Sequence, residues 1–382
     1  MSITNKEDQQ AVTPWEVSSK VNYDKLIQQF GCKKIDDNII SEIETLTGTK
    51  VHRLIRRGFV FSHRDLDVLL KYYKEGKKFY LYTGRGPSSN SMHIGHAIPF
   101  LFCKYLQEAF DVPLVIQITD DEKFLFKNIT LEESIKYGEE NIKDIIAFGF
   151  DPKKTFIFSN VEYAHKFVKN SLKLAKAIKL HQGFKVFGFD ENSNLGQIEY
   201  PVKQIAPAFS SSFPFLSKYK MCLIPAAIDQ DPYFRLGRDY AKILKEKKPA
   251  SIYSTFLPAL QSESKMSASD EKTTIYLSDT RKKIKNKINK EAFSGGRDTL
   301  EEHRKYGGNP DIDVSFQYLR YFLEDDKELE EIRTNYIKGI ITSGEMKSKC
   351  IDVIAGFVEE YQMNRAKVTD EDIKKFKQEL DL

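Results

Sequence analysis

Two segments of this sequence carry residue types at spacings suited to nucleotide chemistry. The first, GRGPSSNSMHIGHAIPF (84–100), sets His93 and His96 three residues apart at the start of a helical pattern, so the two imidazoles share a face. Gly84 and Gly86 let the backbone approach a ligand closely, Pro87 fixes the turn, and the free N–H groups of a helix start favour an anion. Gly95, between the histidines, leaves a flat patch on which a base can rest. The Walker pattern GxxxxGK(S/T) does not occur here, which disfavours a P-loop NTPase. Taken alone, the histidines equally suit two side chains that satisfy partners at a helix start. The second segment is KMSAS (265–269), inside the polar stretch QSESKMSASD, which has neither helical nor strand period. A loop with the Lys265 ammonium and the Ser267 and Ser269 hydroxyls can close on a departing pyrophosphate as charge develops there. By itself it is an ordinary loop.

The elements around these segments decide what they can do. From Lys78 to about Asp279 short apolar runs alternate with helical stretches, the pattern of a parallel sheet with crossover helices and hence of an α/β fold. The predicted strands are FYLYT (79–83), PLVIQIT (113–119), TFIFS (155–159), CLIPAAI (222–228) and TTIYL (273–277), hydrophobic enough to be covered on both faces. GRGPSS then leaves the carboxyl end of a buried strand, where α/β folds bind ligands. Thr130 and Glu133 read as a capping box ahead of an apolar stripe through Ile135, Ile142 and Ile146, with Gly149 as the stop. More than sixty residues separate the third and fourth predicted strands, so a helical insertion is expected over about 161–221. Residues 1–77 read as an N-terminal appendage with a strand-like GFVFSHRD, 78–285 as the catalytic domain, and 286–382 as a helical C-terminal domain marked by Leu319, Phe322, Ile351 and Ile354.

Composition narrows the class. With 382 residues, 41% hydrophobic and 30% charged, the chain has the make-up of a globular protein of two or three domains. MSITNKEDQQ has no apolar core of a signal peptide and no apolar run is long enough to span a bilayer, so the cytoplasm is the expected location and no membrane partner is expected. Cys32, Cys103, Cys222 and Cys350 are too scattered for a structural zinc site and read as reduced thiols. The net charge of +4 alone does not call for nucleic acid, but RKKIKNKINK (281–290) holds six bases and no acid, suited either to phosphate or to a solvated helix face.

An HIGH sequence after the first strand and a KMSxS loop after the last strands together resemble the class I aminoacyl-tRNA synthetases, which implies a Rossmann-type catalytic domain. LYTGRGPSS (81–89), IQITDDEKF (116–124), AIDQDPYFRL (227–236), KMSASD (265–270), AFSGGRDT (292–299) and VTPWEV (12–17) are similar to the tryptophanyl members of eukaryotic and archaeal type. The likeness runs from about residue 12 to the end. Some eukaryotic relatives carry an additional N-terminal helical domain; this chain starts too close to VTPWEV to be expected to hold one.

The resemblance implies roles residue by residue. Tyr82 and Gln230 would contact the indole N–H, and Gln117, Glu122 and Gln204 the amino-acid backbone. His93, His96, Lys265, Ser267 and Ser269 would serve the triphosphate and the transition state, and ATP binding would fall to Arg85, Gly86, Gly95 and Met266. Arg297 and Asp298, in the SGGRDT turn, would read tRNA bases. Each has a plainer reading: Tyr82 as strand core, Gln117 as a buried polar partner, Asp121 and Glu122 as a helix-start acidic pair, SGGRDT as a turn. The implied reaction is ATP-dependent activation of L-tryptophan followed by transfer to tRNA(Trp), in a homodimer. Magnesium would arrive with ATP, since no carboxylate cage for a protein-held metal is evident. A carboxylate already ionised at neutral pH needs no general base, so positioning and charge would carry the chemistry. The alternatives are a tyrosyl enzyme, an inactive paralogue that binds tRNA or protein, and a shorter nucleotidyltransferase of the same superfamily.

Overall fold

The computed structural model describes residues 22–266 and 270–382, with the strand Ser262–Lys265 described by its backbone alone. VTPWEV, Ser267, Ser269 and the Lys265 side chain lie outside the described residues.

Seven strands form the main sheet: β1 Lys33–Lys34, β2 Val60–Arg64, β3 Phe79–Arg85, β4 Leu114–Ile118, β5 Thr155–Ser159, β6 Met221–Ala227 and β7 Ala250–Ser254, in the order β1-β2-β7-β6-β3-β4-β5. From β7 to β5 all neighbours run parallel, while β2 pairs antiparallel with both β7 and β1. Alternation explains why these runs become strands buried on both faces. Leu81, Ile116, Ile157, Leu223 and Ile252 point to one side, where they meet Ile98, Phe102 and Leu106 of the helix Ile94–Phe110. Tyr80, Tyr82, Val115, Phe156 and Ile224 point to the other, against Phe167, Leu174 and Ile205 of the helical stretch that follows β5. Each such fully buried large apolar side chain contributes about 1.5–3 kcal/mol, so the sheet is a stiff platform for whatever its carboxyl ends carry.

Between β5 and β6 the chain is helical from Asn160–Tyr163 through Leu195–Ile205, with further short turns up to Leu216, as the long gap between strands suggested. The capping box is present: the Glu133 backbone N–H donates to Thr130 Oγ1 at 3.1 Å and the Thr130 N–H to Glu133 Oε2 at 2.8 Å. After Lys265 no strand occurs among the described residues, and the helices Arg281–Glu291, Leu300–Tyr306, Val314–Phe322, Asp326–Ile337, Ser343–Arg365 and Asp370–Phe376 complete the chain. The apolar cluster on the first face of the sheet continues into them through Ile284, Leu319 and Ile354.

Two features differ from the strand reading. TTIYL (273–277) is not a sheet strand; it makes a single bridge, Tyr276 opposite His93. It pairs with the short entry to the helix Ile94–Phe110, which offers two bonds, Ile94 N–H to the Ile275 carbonyl and Leu277 N–H to the Met92 carbonyl, both 2.9 Å, before turning away, and its Thr273 carbonyl accepts the Leu260 N–H at 3.1 Å. The fifth parallel strand is instead ASIYS, whose Ser251 and Ser254 are buried and disguise its apolar character. The segment read as an N-terminal appendage also places β1 and β2 in the sheet, and the helix Arg281–Glu291 spans residue 285.

Candidate active site

Strand order reverses between β3 and β6, and two adjoining cavities open at the carboxyl ends of these strands. The larger, about 360 Å³, is lined by Glu122, Tyr200, Gln204, Gln230, Tyr233 and Phe234 among others. The smaller, about 160 Å³, is lined by His93, Ser254, Phe256, Leu257 and Met266, with Gly95 on its wall. Gly84, Arg85, Gly86, His96, Pro99 and Ala227 line both and join them.

In the larger cavity the polar side chains hold one another. Tyr82, fully buried on β3, donates its hydroxyl to Gln117 Oε1 and to the Gln204 carbonyl, the latter at 2.8 Å. Gln117 Nε2 in turn donates to Asn160 Oδ1 at 2.7 Å and to the Lys203 carbonyl at 3.1 Å. Asn160 Nδ2 donates to Asp121 Oδ1 at 2.8 Å, and Lys203 Nζ lies 3.5 Å from Asp121 Oδ2. Burial raises the Asp121 pKa and the hydrogen bond from Asn160 opposes the rise. Glu122 accepts from Thr119 Oγ1 at 2.9 Å and from Lys123 Nζ at 2.7 Å. Gln204 Oε1 accepts the Tyr200 hydroxyl at 2.6 Å.

Glu122, Gln204 and Gln230 therefore stand on the cavity wall, while Tyr82 and Gln117, both 0% exposed, line neither cavity and lie behind it. Tyr200, Lys123 and Asn160 belong to the same network and went unread in the sequence. A signal for Tyr200 existed: it precedes Gln204 by four residues, one helical turn on the same face.

The smaller cavity is built from backbone and rings. The His93 and His96 rings stack with centroids 3.5 Å apart, and the His93 N–H donates to His96 Nδ1 at 3.3 Å. A Cβ at Gly95 would lie 3.0 Å from His93 Nδ1, so glycine there leaves room for the flat ring. A Cβ at Gly86 would lie 2.3 Å from Lys123 Cε and 2.7 Å from Glu122 Oε2, which puts the backbone of the loop after β3 against the carboxylate of the larger cavity. The KMSAS segment is delivered by the hairpin β8 Pro258–Ala259 and β9 Ser262–Lys265, and Met266, 2% exposed, donates its N–H to the Leu257 carbonyl at 3.3 Å.

Arg85 is 9% exposed and points toward the helix Leu131–Ile146, where its Nε donates to Asn141 Oδ1 at 2.8 Å. Burial lowers its pKa to about 10, against the pull of Asp144 and Glu122, so it stays charged at neutral pH. Its Nη2 has no hydrogen-bond partner among the described residues.

Arg297 and Asp298 are not brought to this cleft. They are exposed on a turn whose base is rigid: Gly295 N–H donates to Asp313 Oδ2 at 2.9 Å, Tyr336 donates its hydroxyl to the same oxygen at 2.8 Å, and a Cβ on Gly295 would fall 1.9 Å from the Asn309 carbonyl oxygen. Among the described residues no group of three or more His, Cys, Asp or Glu could hold a metal ion. The arrangement thus offers one carboxylate-lined pocket, one anion-friendly pocket and a shared wall of glycines.

Residues 74–359 match the family of tRNA synthetases class I (W and Y). The chain is 57% identical over 377 residues to the tryptophan–tRNA ligase of Encephalitozoon cuniculi, covering 96% of this chain and 98% of that one. It is 52% identical over 382 residues to the cytoplasmic tryptophan–tRNA ligase of Rattus norvegicus, covering 97% of this chain and 79% of that one. Its fold superposes on the tryptophan-bound crystal structure of the E. cuniculi tryptophanyl-tRNA synthetase with a TM-score of 0.89 and 55% identity, covering 95% of this chain and 99% of that one. With that extent of match, in sequence and in fold, the chain belongs to the class I tRNA synthetases, on their tryptophanyl branch.

Proposed function

We propose that this chain activates L-tryptophan with ATP and transfers it to tRNA(Trp). The observation that carries this reading is the adjacency of the two cavities, which share a wall that includes Gly86, the glycine against which Glu122 of the larger cavity packs. In the larger cavity the substrate ammonium faces Glu122, and Gln204 and Gln230 offer amide groups to the rest of the amino acid. Aromatic walls from Tyr200, Tyr233 and Phe234 fit a flat ring. A pocket that hydrogen-bonds the indole N–H leaves its own polar group unpaired with phenylalanine, a cost of about 1–3 kcal/mol.

ATP lies across the smaller cavity as its magnesium complex. A tryptophan carboxylate oxygen bonds to the α-phosphorus, the bond from that phosphorus to the bridging oxygen breaks, and pyrophosphate leaves with the electron pair. His93, His96 and the Lys265 ammonium, with the Ser267 and Ser269 hydroxyls, stabilise charge on the phosphates, and Gly86, Gly95 and Met266 bound the nucleotide. Arg85, held by Asn141, contributes a nearby positive charge. In the second step the ribose 2′-hydroxyl of the terminal tRNA adenosine attacks the acyl carbon and AMP departs, while Arg297 and Asp298 contact unstacked bases and the basic face of Arg281–Glu291 follows the tRNA backbone.

A homodimer is part of this reading. Phe124, Val161 and Val168, each at least 44% exposed, line a groove of about 520 Å³ beside the helical insertion, an apolar face suited to a second copy. No helix is long and apolar enough to cross a membrane among the described residues, and the cytoplasm is the proposed location.

Charging tests the whole scheme. Labelled tryptophan should be esterified to tRNA(Trp) ending in 3′-deoxyadenosine and not to the same tRNA ending in 2′-deoxyadenosine; failure to charge unmodified tRNA(Trp) would overturn it.

A further inference from the structure

The longest helix among the described residues, Ser343–Arg365, ends against the segment 277–279 and the helix Leu131–Ile146. In its last turn Gln362 Nε2 donates to the carbonyls of Leu277 at 2.8 Å and Asp279 at 3.1 Å. That is the short segment whose Ile275 carbonyl and Leu277 N–H pair with Ile94 and Met92, the two neighbours of His93, and it begins three residues beyond KMSAS. One side-chain amide therefore braces, from behind, the segment on which the His93 entry rests.

Arg365 makes a second brace. It pairs with Glu140 Oε2 at 2.7 Å and with Asp144 Oδ1, which also accepts the Tyr361 hydroxyl at 2.8 Å. Asp144 lies three residues beyond Asn141 on the helix Leu131–Ile146. Asn141 holds the loop after β3 by both of its amide atoms: Oδ1 accepts from Arg85 Nε at 2.8 Å and Nδ2 donates to the Ser89 carbonyl at 3.0 Å. The far end of the long helix is equally fixed, by the reciprocal bonds of Thr342 and Glu345 and by the Tyr336 hydroxyl 3.1 Å from Ser343 Oγ. Along 23 residues, about 35 Å at 1.5 Å per residue, it acts as a strut.

We propose that Gln362 and Arg365 are positioning residues for adenylate formation, holding the histidine loop and the KMSAS segment in register while leaving the tryptophan pocket untouched. Neither residue lines either cavity, and neither bonds to a member of the Tyr82–Gln117–Gln204 network. Their loss should therefore separate the two substrates.

This inference rests on the adenylate-forming reading above, and ATP–pyrophosphate exchange separates the two. If the wild-type protein shows no tryptophan-dependent exchange, both fall. With an active wild type, Gln362→Met removes the donor but keeps the bulk, and Arg365→Ala removes the brace. Each should lower kcat for exchange by roughly 10- to 100-fold, the range that a small misplacement of reacting groups produces, while the tryptophan Kd from equilibrium dialysis stays within about twofold. Arg365→Lys, which keeps a charge beside Asp144, should recover part of the loss. Combined with Lys265→Ala, Gln362→Met should add much less than its single effect, because both act through the same segment. Wild-type kcat in a folded variant, a parallel loss of tryptophan affinity, or full additivity with Lys265→Ala would each overturn the proposal.

Discussion

Around the larger cavity, Gln204, Tyr200, Tyr82, Gln117, Asn160 and Asp121 form one chain of hydrogen bonds. Around the smaller one, the wall includes two stacked imidazoles, glycine backbone and Met266, contributed by parts of the chain far apart in sequence. The first half is set by the sheet and its insertion and has little left to arrange. The second depends on loops braced from outside, by Asn141 on one side and Gln362 on the other. On the proposed reading, recognition is built into the core, whereas the chemical step relies on how well separate segments are held.

Substitutions that act on one half alone put this contrast to the test. The largest effect is expected at Lys265→Ala, which removes a charge from the departing pyrophosphate: single-turnover adenylate formation should slow by about 10²- to 10³-fold, with the tryptophan Kd nearly unchanged. Comparable losses in both would erase the distinction between the halves. On the other side, Gln204→Ala leaves the buried Tyr200 hydroxyl without its acceptor; the tryptophan Kd should rise about tenfold, corresponding to about 1.4 kcal/mol, while the ATP KM holds. Gly86→Ala addresses the shared wall. The new methyl would displace Lys123 from Glu122, and KM for tryptophan and for ATP should both rise, by a few-fold, in steady-state exchange.

The smallest effect lies away from the cleft, where Arg56 and Arg57 of the N-terminal segment pair with Asp326 at the head of a C-terminal helix. Partial burial raises the Asp326 pKa, but hydrogen bonds from the two guanidinium groups outweigh it and bring the pKa to about 2 from 3.8. A carboxylate held below its unfolded value stabilises the fold fully above that value, and the contribution is lost as pH falls from 3.8 through about 2. Urea unfolding of Asp326→Asn should show a small, pH-independent loss above pH 4 that vanishes toward pH 2, with exchange per folded molecule unaltered. A change in kcat would mean that this clamp belongs to the phosphate side after all.

Much of the platform was legible because buried parallel strands are hydrophobic throughout. FYLYT, PLVIQIT, TFIFS and CLIPAAI announce themselves, and the chain that leaves the first of them at Gly84 had to emerge at the ligand edge. ASIYS was hidden by its two buried serines, and TTIYL had the right composition but meets a helix entry and not a sheet strand. Among the site residues, those next to a strand end, such as Glu122 and Gln230, could be read from position. Tyr82 and Gln117 could not be placed behind the wall from sequence, because alternation says which face a side chain takes but not what stands in front of it. The braces through Asn141, Gln362 and Arg365 join residues from 52 to 225 positions apart, and no local pattern marks them.

ATP–pyrophosphate exchange measured separately with each of the twenty amino acids addresses the central claim directly. Tryptophan alone should stimulate exchange strongly, with tyrosine and phenylalanine near background. Stimulation by tyrosine in place of tryptophan, or no stimulation by any amino acid, would contradict the assignment of the larger cavity to an indole side chain and of the smaller one to ATP.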